Sequence, residues 1–116
     1  MSQRTKARAF GRTRDERAAL LKSLIRSLIL EERISTTEAK AKEIRPMVEK
    51  LVTRARTDTV ANRRLILSRV GDPTAVQKLF KALAPRFKGV PGGYLRIVKR
   101  APRADGRRTA YIAFTK

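Results

Sequence analysis

A chain of 116 residues is one domain's worth, and 41% apolar side chains are enough to close a modest core. Against 29 Lys and Arg stand only 10 Asp and Glu, and the net charge of +19 opposes compaction unless a polyanion neutralises it. Nucleic acid is the commonest such partner and an anionic membrane surface the main rival.

The absence of Cys excludes disulfides and thiolate chemistry, the absence of His removes the usual proton shuttle, and no apolar run approaches the ~20 residues of a spanning helix. The charge is uneven. Residues 1–17 carry six basic and two acidic side chains, residues 86–116 nine and one, and the long middle fourteen and seven. Both ends are therefore candidate contact surfaces.

Residues 1–13, MSQRTKARAFGRT, lack periodicity and carry Arg4, Lys6, Arg8 and Arg12 beside one aromatic, Phe10. They read as an extended basic arm that orders only on a partner, leaving 14–116 as a single globular domain. From about Asp15 to Glu31, Leu20, Leu21, Leu24, Ile25, Leu28 and Ile29 form a helical stripe. The β-branched stretch Glu32–Thr36 predicts one short strand. Ser35 or Thr37 can cap the next helix, with Ser35 and Glu38 at capping-box spacing. Its stripe is Ile44, Met47, Val48, Leu51, Val52 and Ala55. The spacing stays in phase across Pro46, which predicts a kink rather than a break.

A third helix begins near Asp58, capped by Asp58 or Thr57, with Val60, Ala61 and Leu65 toward a core. Arg63 and Arg64 lie side by side in it. Adjacent helical residues point about 100° apart, so the two cannot form one handle on one neighbour. Gly71, Asp72 and Pro73 stop this helix and start a fourth, which carries Val76, Leu79, Phe80 and Leu83 and is expected to end before Pro85. RFKGVPGG is a basic, glycine-rich loop. YLRIVKR and TAYIAFT then alternate on either side of Asp105-Gly106, the signature of a β-hairpin. Leu95, Ile97, Ala110, Ile112 and Phe114 share the face that must pack on the helices; Tyr94, Arg96, Val98, Arg100, Thr109 and Tyr111 are expected on the other. The fold class is α+β: helix, short strand, three helices, hairpin.

At this point TTEAKAKEIRPMVEKLVTRARTDTVANRRL, KLFKALAPRF, GGYLRIVKRAPRADG and AYIAF resemble, in order, the bacterial-type large-subunit ribosomal protein seventeen family. The resemblance spans residues 17–116, and its helix, strand, three helices and two strands agree with the order read from the residues. It implies a structural constituent of the large ribosomal subunit in the cytoplasm or an organelle, bound to large-subunit ribosomal RNA near the tunnel exit beside neighbouring ribosomal proteins. The opening departs from the family: Ala7 stands for a Gly, Glu16 for a His, and Lys22-Ser23 for an Arg-Asn pair.

Arg outnumbers Lys, and its planar fork holds phosphate oxygens bidentately. The expected RNA contacts are Arg4, Lys6, Arg8, Arg12, Arg14 and Arg17 of the opening; Arg63 and Arg64; Arg86 and Lys88; Tyr94, by stacking; Arg96; and Arg103, Arg107 and Arg108 at the hairpin tip. No acidic pair converges into a dyad or metal site, so neither enzymatic activity, cofactor, small-molecule substrate nor membrane insertion is expected. The alternative is a free architectural, nucleoid-type nucleic-acid-binding protein.

Overall fold

In the computed structural model, residues 14–101, 104 and 106–116 are described. The expected arm, with Arg4, Lys6, Arg8 and Arg12, lies outside them, as do Arg103 and Asp105. Helix α1 (Arg14–Glu31) places Asp15 and Glu16 in its first turn, where they complement the helix dipole, and buries Leu21, Ile25, Leu28 and Ile29. It is closed by Glu32, whose N–H returns to the Leu28 carbonyl at 2.7 Å and whose φ is +66°. A side chain in this left-handed conformation needs other contacts to hold it. Three do: Phe114 donates its backbone N–H to the Glu32 carbonyl at 3.2 Å, and Lys78 and Arg86 grip the carboxylate.

Strand β1 (Arg33–Thr37) runs straight into α2 (Glu38–Ala55), and Thr37 is the cap, its hydroxyl accepting the Lys40 N–H at 3.3 Å. Ser35 stays in the strand. Helix α2 is unbroken through Pro46 and buries Ala41, Ile44, Val48, Leu51, Val52 and Ala55, while Met47 lies at its edge, 38% exposed.

Helix α3 (Val60–Val70) differs from expectation. Its cap is Thr59, which accepts the Asn62 N–H at 3.1 Å, and its buried residues are Ile66 and Val70. Val60 is 66% exposed, Ala61 is exposed and Leu65 half-buried. The connection is fixed by Asn62, whose amide donates to the carbonyls of Thr57 (2.7 Å) and Arg54 (3.3 Å). Those bonds turn the first helical turn outward, which a periodicity of apolar letters does not register. Gly71 (φ +78°) then caps α3, returning its N–H to Leu67, and Asp72 accepts the Thr74 N–H at 3.0 Å to start α4 (Pro73–Lys78).

Helix α4 does not end before Pro85. It continues as a π-helical segment, Leu79–Leu83, and a last turn, Ala84–Arg86. Ala84 donates to the Leu79 carbonyl, five residues back. In that wider turn Pro85 occupies the start of a new register, where its missing N–H leaves no bond unmade.

Strands β2 (Leu95–Lys99) and β3 (Thr109–Phe114) form the expected hairpin, with Ile97 opposite Ile112 and Leu95 opposite Phe114. β1 joins it antiparallel on the far side of β3, with Ile34 opposite Ile112, giving a three-stranded sheet in the order β1-β3-β2. The short strand thus has its partner about 75 residues later, a pairing that no local pattern announces. The inner face, with Leu95, Ile112 and Phe114, closes on Leu28, Ile44, Leu79 and Phe87 in one core, and among the described residues no charged side chain is buried.

Candidate nucleic-acid interface

The two adjacent arginines of α3 have different fates. Arg63 is not free: its guanidinium grips both oxygens of Asp58, with Nη2 at 2.8 Å from Oδ2, and lies 4.7 Å from the centre of the Phe80 ring. It ties the start of α3 to the π-helical segment, and its hydrogen bonds hold the Asp58 carboxyl below the ordinary carboxylate range. Arg64, one residue on, is exposed and faces no acid among the described residues. The 100° step between neighbours makes one a structural clamp and the other an available cation.

Arg86 is also engaged. It pairs with Glu32, Nη2 donating to Oε2 at 3.0 Å, while Lys78 Nζ lies 3.0 Å from the same carboxylate. Hydrogen bonds from Arg86 and then Lys78 hold Glu32 down at about 2. Arg17 meets Glu43 at 2.6 Å. Of the other expected contacts, Arg14, Lys88, Arg96, Arg107 and Arg108 are all exposed.

Tyr94 is a correction to the sequence reading. Alternation places it on the outer face, but it precedes β2 and is fully buried. Gly93, at φ +70°, lets the backbone turn so that the ring packs 5.0 Å from Phe87. Arg56 donates to its hydroxyl at 2.8 Å, and Thr53 shares a 3.0 Å hydrogen bond with it. Glu49 accepts the backbone N–H groups of Tyr94 and Leu95 at 3.3 and 3.1 Å, fixing where the strand begins. This ring is in the core and offers no face to a base.

Around Arg17 the structure also assembles cations not among the expected contacts. Helices α1, α2 and α3 border a groove of about 1060 Å³ whose floor includes Ala18, Leu21, Ile25, Met47, Leu51 and Leu65. Arg17, Lys22, Lys42, Lys50, Arg54 and Arg69 rim it, against Glu43 alone. The signal in the sequence was the spacing of Lys42, Lys50 and Arg54 at multiples of four, which aligns them along one side of α2. Lys42 also reaches Glu38 at 3.3 Å, and Arg54 donates to the Asn62 side-chain oxygen at 3.4 Å. Such a rim attracts phosphate groups by charge and fixes their position without reading bases. Among the described residues no cluster of potential ligands could hold a metal ion, and no helix is long and apolar enough to cross a membrane.

Comparison with known proteins gives one answer throughout. The family described as Ribosomal protein L17 matches residues 20–115. The chain is 50% identical over 118 residues to the Large ribosomal subunit protein bL17 of a Hydrogenobaculum species, covering 100% of each chain. It is 51% identical over 115 residues to the protein of the same name from Thermomicrobium roseum, covering 98% of each. A third bL17, from Gemmatimonas aurantiaca, is 50% identical over 113 residues, 97% of this chain and 96% of that one.

Proposed function

From the chain's membership of the ribosomal protein L17 family, a family of structural and non-enzymatic proteins of the large ribosomal subunit, we propose that it binds large-subunit ribosomal RNA with its cationic surfaces. In this reading a basic arm, residues 1–13, extends from a globular body, residues 14–116, in a cytoplasmic ribosome. The body sits near the tunnel exit, among neighbouring ribosomal proteins. The observation that carries it is the division of labour among the cations. Arg63, Arg86 and Arg17 are spent on Asp58, Glu32 and Glu43, yet Arg64, Lys88, Arg96 and Arg108 stay exposed with no acid before them among the described residues. The groove between α1, α2 and α3 adds a further cationic rim. A polyphosphate backbone is the partner that such surfaces suit, because each neutralised phosphate releases a counterion.

Binding of the purified chain to large-subunit ribosomal RNA is expected to weaken by roughly 10³–10⁵ between about 50 and 200 mM salt, the range for six to ten phosphate contacts. An affinity that stays flat across that range refutes the proposal. In lysates the protein should sediment with large subunits through a moderate salt wash; recovery on chromosomal DNA or as a slow free fraction counts against it.

A further inference from the structure

The sheet has a second face. With Ile34, Ile97 and Ile112 turned toward the helices, the register sets Arg33, Ser35 and Thr37 of β1, Thr109, Tyr111 and Ala113 of β3, and Arg96 and Val98 of β2 on the opposite side. Arg33, Ser35, Arg96 and the following Arg100 are exposed. Tyr111 occupies the middle of the central strand. Phe80, Phe87, Tyr94 and Phe114 are buried, so among the described residues Tyr111 is the one aromatic side chain that reaches solvent. The Arg33 guanidinium lies over its ring at 3.9 Å from the centroid. A recess of about 570 Å³ opens at one end of the same face, lined by Ser35, Thr37, Thr109 and Arg100, with Arg100 donating to the Ser35 hydroxyl at 3.3 Å.

We infer that this outer face binds an unpaired RNA nucleotide, its base stacked on the Arg33–Tyr111 pair and its flanking phosphates held by Arg96 and Arg100. The inference rests on the RNA-binding reading above and specifies which kind of RNA this face takes. A surface meant only for the phosphates of a duplex needs cations and gains nothing from a half-buried ring at its centre. A ring backed by a guanidinium offers the flat, polarisable platform on which bases stack, and a base can reach it only when it is free of a duplex. Directly across from Tyr111 lie Ser35 and Val98, while Arg33 and Arg96 stand in the next row, on either side of Ala113, and Arg100 follows the end of β2, so cations sit beyond the ring in both directions along the sheet. The hydroxyls in the recess can both donate to and accept from a ribose 2′-OH, which DNA lacks.

The test uses the full chain and three probes: a 12-nucleotide oligoadenylate, its deoxy counterpart, and a 12-base-pair RNA duplex. The single-stranded RNA is expected to bind tightest. Tyr111→Phe should leave that affinity unchanged, while Tyr111→Leu should weaken it about tenfold, the scale of one lost base stack. Stacking releases no counterion, so Tyr111→Leu should keep the salt dependence of the parent chain, whereas Arg96→Gln should reduce its log–log slope by about 0.7. A 2-aminopurine placed in the strand should lose fluorescence on binding to the unmodified chain, a readout independent of how the variants fold. If Tyr111→Leu binds the single strand as well as the parent, if 2-aminopurine is unaffected, or if the duplex is preferred, the stacking assignment is wrong while salt-sensitive ribosomal RNA binding stands. If the full chain binds neither the probes nor large-subunit ribosomal RNA, the underlying reading falls with it. Capture of an acidic peptide on this face in competition with the RNA also overturns the assignment.

Discussion

Glu32 gathers two cations and a backbone bond at the end of α1. It takes a left-handed φ at the end of α1, accepts a backbone bond from β3, and holds both Lys78 and Arg86. Its folded-state pKa of about 2 lies below the ordinary 4.5, so the ionised carboxylate stabilises the fold at every pH above about 4.5. That stabilisation disappears as pH falls through the window from 4.5 toward 2. With its side chain 32% exposed, solvent screening reduces the contribution to about 1–2 kcal/mol. Glu32→Gln should cost that amount at neutral pH and flatten the acid limb, as read by urea denaturation from pH 7 to 2. Tyr94 makes the opposite point about an expected contact residue. Its buried hydroxyl joins Thr53 and Arg56, so Tyr94→Phe should cost about 1–2 kcal/mol in thermal unfolding by leaving those partners short of a bond. RNA affinity should not change.

At the scale of elements, α3 shows how capping and side-chain clamps outrank apolar letters. The stretch TDTVANRRL suggests a core face made by Val60, Ala61 and Leu65, but Thr59, Asn62 and the Asp58–Arg63 pair set the helix's rotation first. The face that goes in carries Ile66 and Val70. Val60→Ser should accordingly change stability by no more than about 0.5 kcal/mol, and Ile66→Ala should cost about 2–4 kcal/mol. A denaturation series in which Val60→Ser proves the costlier change would contradict the observed rotation. Gly71 ends this helix at φ +78°, and a β-carbon there would lie 3.1 Å from the Lys22 side chain. Gly71→Ala should cost about 1 kcal/mol from backbone conformation alone.

At the scale of the whole molecule, a net charge of +19 makes salt act in two directions. Added salt screens the self-repulsion of the free chain and should raise its stability by about 1 kcal/mol between 0.05 and 0.2 M, seen as a few degrees in Tm. The same change should weaken ribosomal RNA binding by orders of magnitude. Opposite signs for one variable separate a fold that tolerates its charge from a surface that uses it. A Tm that falls over this range would mean that the ion pairs of Glu32, Glu38, Glu43 and Asp58 outweigh the repulsion.

The sequence alone determined the element types, the helix stop at Gly71 and start at Asp72, the hairpin's inner face and the cationic character, because each rests on local spacing, capping chemistry or a count of charges. Tertiary structure decided which cations are spoken for, since Arg63 and Arg64 are identical letters until Asp58 and Phe80 come within reach of only one of them. It also drew Tyr94 inward through the turn at Gly93, carried the fourth helix past Pro85 on a π-helical segment, and brought β1 to β3 across the length of the chain. The contacts of Arg63 with Phe80, of Tyr94 with Thr53 and Arg56, and of β1 with β3 depend on neighbours distant in sequence. A periodicity records which way a residue faces along its own element, but not what waits on the other side.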